Sequence, residues 1–120
     1  MQKINILGQN YTVSWVKKGQ DAYMDKMGFA GYCCGIEKKI VILDLKSIPE
    51  YKDETDEYCK KYEDCTMRHE VIHAFLNESG LQWNSFTPDE AWAKNEEMVD
   101  WIAIQFPKIL EVYRKLGCID

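Results

Sequence analysis

Polar and apolar residues alternate from the start of the chain. Lys3-Ile4-Asn5-Ile6 reads as a short strand, and Tyr11-Thr12-Val13-Ser14-Trp15-Val16 as a second one rich in β-formers. Gly8-Gln9-Asn10 between them carries turn chemistry, so the pair predicts a hairpin. Residues 17–31 form a mostly polar connection holding Gly19, Gly28 and Gly31. Tyr32-Cys33-Cys34-Gly35-Ile36 predicts a short strand, with Glu37-Lys38-Lys39 to turn it. Ile40-Val41-Ile42-Leu43-Asp44-Leu45 is the strongest strand signal, and its run of β-branched residues predicts burial on both faces. Pro49 breaks the pattern, and a charged stretch continues through Glu57.

The apolar spacing then becomes helical. A first helix is expected to begin between Asp56 and Thr66 and to run to about Ser79, with Gly80 as its stop. Turn signals at Asn84-Ser85 and Thr87-Pro88-Asp89 place a loop in residues 81–92. A second helix is expected to start between Asp89 and Asn95 and to reach Leu116, stopped by Gly117 and kinked or split by Pro107. Strands followed by helices predict an α+β domain of three to four strands packed on two main helices, spanning residues 1–120. The tryptophans Trp83, Trp92 and Trp101 read as core residues rather than as a groove.

Composition narrows the function classes. The 120 residues are 46 % hydrophobic and 29 % charged, which fits one globular domain. The net charge of −5 argues against a general nucleic-acid or anionic-membrane binder. No apolar run reaches the roughly 18 residues that span a bilayer, and polar residues interrupt the N-terminus too often for a signal peptide. The five cysteines are odd in number, and Cys33 and Cys34 are adjacent. They read as free, inert thiols in a reducing cytoplasm rather than as a disulfide framework. Lys17-Lys18 and Lys38-Lys39 read as solvated turn charges.

The chemistry concentrates in Arg68-His69-Glu70-Val71-Ile72-His73, an H-E-x-x-H pattern on the first helix. Residues four apart share a helix face, so His69 and His73 can bind one metal ion, Zn2+ above all. Glu70 lies beside the pair without being a ligand and is placed to act as a general base on water. The chain has 2 histidines, and both are in this motif. A third ligand is required. Glu96 shares a helical face with Val99, Ala103 and Phe106, which directs it toward a buried stripe, and it is preferred to Glu97. Asp100 is one turn on and can accept from the free ring nitrogen of His69, and Asn95 can serve His73 in the same way. Cys65 is excluded as a ligand if the helix is continuous, because eight residues separate it from His73 by about 12 Å.

RHEVIHAFLNESG (68–80) together with NEEMVD (95–100) resembles the HExxH zinc metallopeptidases of the gluzincin type. Within them it is similar to short phage- and prophage-encoded proteins related to the ImmA/IrrE group. The resemblance covers residues 66–116; before them, only a few strands ahead of the metal helix are shared. It implies a minimal zincin-like fold, zinc held by His69, His73 and Glu96, Glu70 as the base, and a peptide or protein substrate. In such folds an edge strand beside the metal helix pairs with extended substrate, for which 32–36 and 40–45 are the candidates. The chain is short of the extra subdomain that walls the cleft of larger peptidases. The alternative is a metal-binding interaction module on the same scaffold that cuts nothing. The sequence is silent on oligomeric state.

Overall fold

The structure, a computed structural model, describes residues 1–84 and 96–119. Strands β1 (Gln2–Ile6) and β2 (Gln9–Val16) form the expected hairpin, paired antiparallel with Ile4 opposite Tyr11 and Ile6 opposite Gln9. The turn is tighter and earlier than the sequence suggests. It is the two residues Leu7 and Gly8, both at positive φ (50° and 93°), the pattern of a type I′ turn. Residues 17–31 are more than a connection. They hold helix α1 (Ala22–Met27), capped by the Asp21 side chain accepting from the Met24 N–H at 2.9 Å and closed by Gly28 in the left-handed region.

Strand β3 (Gly31–Cys34) and strand β4 (Lys39–Leu43) complete a four-stranded mixed sheet in the order β1-β2-β4-β3. β4 runs parallel to β2 and antiparallel to β3, so it lies inside the sheet. Its residues Ile40, Val41, Ile42 and Leu43 are all buried, as their unbroken apolar run predicts. The segment after β4 forms two short 3-10 turns, Leu45–Ser47 and Pro49–Tyr51.

Helix α2 (Asp56–Glu78) begins at the early end of the expected range, where Thr55 accepts from the Tyr58 N–H at 3.1 Å. A four-residue helix, α3 (Leu81–Asn84), follows Gly80. Helix α4 (Glu96–Leu116) passes through Pro107 undivided, so the expected split does not occur. Residues 85–95, with the turn signals at Ser85 and Thr87-Pro88-Asp89 and with Trp92 and Asn95, lie outside the described residues.

One face of the sheet supplies Ile4, Ile6, Tyr11, Val13, Ile40 and Ile42 to the main core. α2 meets it with Met67, Val71, Ala74 and Phe75, spaced as one helix face, and α4 with Ile109, Val112 and Tyr113. Trp101 packs against this core as expected and donates to Ser79 Oγ at 3.1 Å. The other face, at β3 and β4, packs Tyr32, Val41 and Leu43 against Met24 of α1, Leu45 and Cys59. Among the described residues, no helix is long and apolar enough to cross a membrane.

Candidate metal centre on helix α2

Three turns of α2 decide the site. Met67, Val71, Ala74 and Phe75 turn toward the sheet, and Glu70 falls on the same side. Its side chain is therefore carried inward, and only 7 % of the residue is exposed. His69 and His73 flank that face and reach solvent. Their Nε2 atoms stand 3.1 Å apart, with ring centroids at 4.7 Å. Two nitrogens at this separation, each about 2.05 Å from a common ion, subtend about 98° there, close to a tetrahedral angle. At this separation both Nε2 atoms can reach one zinc ion.

Electrostatics suit the same chemistry. Burial raises the Glu70 carboxyl above its ordinary value, and the nearby His69 offsets part of the effect. Among the described residues no donor is hydrogen-bonded to it. Desolvation, with a contribution from His69, lowers His73, which favours the neutral ring that a metal needs.

The packing of α2 against β3 brings these groups to the sheet edge. A Cβ at Gly31 would stand 2.7 Å from Thr66 Cγ2, and one at Gly35 would overlap the Asn77 amide. Glycine at both positions lets the helix approach the strand this closely. The result is a cleft of about 390 Å³ lined by His69, Glu70 and His73 on one side and Gly31, Cys33 and Gly35 on the other. A larger depression of about 640 Å³, lined by Leu7, Phe75 and Lys108 among others, contains neither histidine nor cysteine and has no comparable chemistry.

β3 is the edge strand, so 32–36 overlaps a free edge, whereas 40–45 does not; β4 is interior because it pairs on both sides. In β3 the Ala30 carbonyl accepts from Leu43 N–H, and the antiparallel register pairs Tyr32 with Val41. Hydrogen-bonded pairs alternate in such a ladder, so Gly31 and Cys33 turn their N–H and C=O groups to the open side. That side is the cleft.

The remaining site candidates fall as follows. Glu96 opens α4 as described, but its side chain, like all of Asn95, lies outside what the structure describes. Glu97 is exposed. Among the described residues, no group of three His, Cys, Asp or Glu side chains gathers around one point. Phe106 is 46 % exposed, so the stripe expected to bury Glu96 is open at that turn; among the described residues α4 meets the core with Trp101 at its margin and with Ile109, Val112 and Tyr113 within it. Asp100 is exposed and forms no hydrogen bond with His69 among the described residues. α2 is continuous, so Cys65 is held away from His73 as argued, and it is exposed.

All five cysteines are free. Burial, with the charge of Glu70 next, pushes the Cys33 thiol up to about 12, which makes it inert. Lys38 departs from its expected role as a solvated charge, because it pairs with Glu78 near the end of α2. Arg68 donates to the Cys118 carbonyl at 2.7 Å and the Tyr113 hydroxyl donates to the Arg68 carbonyl at 3.2 Å. Both therefore serve the packing of α2 on the C-terminus, not the cleft.

One feature escapes the sequence pattern. Tyr23 and Phe29, both from the stretch read as a connection, line the cleft together with Tyr32. Asp21 and Gly28 bracket α1 as cap and stop, and that spacing is the signal that points to it. Comparison with family models, with curated proteins and with solved structures finds no match for the chain.

Proposed function

We propose that this chain is a zinc-dependent metallopeptidase in which His69 and His73 hold the ion, Glu96 is the third ligand and Glu70 is the general base. The observation that carries the reading is the pair of Nε2 atoms 3.1 Å apart beside a buried carboxylate, in a cleft that follows an open strand edge. Zinc bound there supplies Lewis acidity, which activates water near neutral pH and polarises a carbonyl oxygen. Glu70 accepts a proton from the attacking water and returns it to the leaving nitrogen. Its burial supports this, since a raised carboxyl holds a proton more readily between the two transfers. The outward N–H and C=O groups of Gly31 and Cys33 hold the peptide extended across the base. Five free thiols fit a reducing, cytoplasmic setting.

The test is metal content of untagged protein purified without chelator, beside His69→Ala and Glu70→Gln. We expect about one zinc per chain in the parent and in Glu70→Gln, and loss of the ion in His69→Ala. Peptide hydrolysis should fall by at least about 10²-fold in Glu70→Gln. No zinc uptake at neutral pH overturns the reading. Zinc without hydrolysis of any peptide turns it into the interaction module.

A further inference from the structure

The cleft does not stop at β3 but continues around its free edge. Its lining includes His69, Glu70, His73 and Cys33, and it also includes Tyr23, Phe29 and Tyr32. Cys33 packs with the main core beneath α2, whereas Tyr32 and Phe29 pack with the cluster on the opposite face of the sheet. The three aromatic rings therefore form a ledge across the strand from the histidines.

That ledge is built and held. The Tyr23 ring meets Tyr32 edge-on at 5.0 Å and Phe29 edge-on at 5.9 Å. The Tyr32 hydroxyl donates at 2.7 Å to Asp21, whose other oxygen caps α1. Despite these contacts Tyr23 is 51 % exposed, so the ledge offers open aromatic surface to the cleft. The described lining residues include no lysine or arginine, and Lys39, which lies over the Tyr32 ring at 5.8 Å, is paired with Glu37 at 2.9 Å, so an acidic side chain would have to compete for a cation that already has a partner.

Resting on the peptidase reading of the same cleft, we propose that this ledge sets substrate choice. The site takes an extended peptide whose residue opposite Tyr32 carries a large apolar side chain, aromatic by preference. The geometry follows from the ladder. A strand added at β3 bonds to the outward groups of Gly31 and Cys33. Residues directly opposite one another in a sheet share a face, and successive side chains alternate between faces. The peptide residue opposite Tyr32 is thus turned to Tyr23 and Phe29, while its two neighbours face Glu70 and the histidines. Tyr23 and Phe29 are specificity-determining residues that act on that one side chain.

The experiment uses the zinc-loaded Glu70→Gln protein and a fluorescent peptide of small polar residues in which one central position is Phe, Leu, Ala or Asp. Anisotropy gives the affinities, and the zinc-loaded parent is incubated with the same peptides for product analysis. Affinity should follow Phe, then Leu, then Ala, then Asp, with Phe about tenfold tighter than Ala. Adding Tyr23→Ala should cut the Phe advantage to under about threefold. Zinc content and the affinity of the Ala peptide should not change, and Tyr23→Phe should keep the preference. Equal affinities across the set, a Tyr23→Ala effect equal on every peptide, or no binding at all overturns the proposal. Cleavage that ignores the central residue overturns it too, yet leaves the peptidase reading standing. Discrimination by the Glu70→Gln protein with no cleavage by the parent does the reverse.

Discussion

Tyr11 offers a sharp test of what holds the motif helix to the sheet. Its residue is 0 % exposed on β2, and its hydroxyl donates to Glu78 Oε1 at 2.7 Å. Asn77 Nδ2 donates to the same hydroxyl at 3.1 Å and to Glu78 Oε1 at 3.2 Å, and Lys38 pairs with that oxygen as well. Tyr11→Phe removes the hydroxyl and keeps the ring in the core. A hydrogen bond to a charged group contributes about 1.5–3 kcal/mol. Glu78 keeps two other donors after the change, so we expect a loss of about 2 kcal/mol, toward the lower part of that range. Urea unfolding reads it as a lower midpoint at unchanged slope. The sign with pH follows from Glu78. Burial raises its carboxyl, but donation from Lys38, Tyr11 and Asn77 together outweighs burial and holds it below the ordinary range. A carboxyl depressed in the folded state stabilises fully above its unfolded value, about 4.3, and loses that contribution as pH falls through the folded value. The cost of Tyr11→Phe should therefore be largest near neutrality and shrink below about pH 4. A cost under about 0.5 kcal/mol at neutral pH, or one undiminished at about pH 3, would refute the network as the tether of α2.

Three further outcomes are expected. Gly35→Ala should cost about 1–3 kcal/mol in the same urea assay, because Asn77, which a Cβ would overlap, is tied to Tyr11 and Glu78 and cannot swing aside. Zinc at about a thousandfold over its Kd should stabilise the fold by about 4 kcal/mol in a thermal scan, an effect that chelator or His73→Ala removes. In alkylation at mildly alkaline pH the exposed Cys65 should label well before Cys33, whose thiol burial raises to about 12; equal rates would contradict the packing of β3 on α2.

The local elements were legible because their signals are local. Alternation at Ile4 and Ile6, then at Tyr11 and Val13, gave the hairpin, and the unbroken run Ile40–Leu43 gave a strand buried on both faces. The α+β class followed from their order. Strand order was a different matter. Nothing in either run says that β4 inserts beside β2 and leaves β3 at the edge, since that pairing joins residues far apart in the chain. α1 was hidden because six residues give too few turns for a period to show. Lys38 looked like a turn charge because its partner Glu78 is 40 positions away.

The motif histidines and Glu70 were legible as spacing, but their setting was not. H-E-x-x-H fixes only that two rings share a helix face. That Glu70 is buried depends on Met67, Val71 and Ala74 turning the same side of α2 to the sheet. That the cleft runs along a strand edge depends on two residues without side chains, Gly31 and Gly35, which admit Thr66 and Asn77 of the helix. The Tyr11–Asn77–Glu78–Lys38 network then fixes the far end of the same helix to β2 and to the turn before β4. Close approach at Thr66 and Asn77 and anchoring at Asn77 and Glu78 hold the second half of α2, and the motif lies between those points. The geometry of the histidines relative to β3 is therefore set by residues that touch neither ring. Substitution at Gly35 or Tyr11 should move the site as a unit rather than dismantle it.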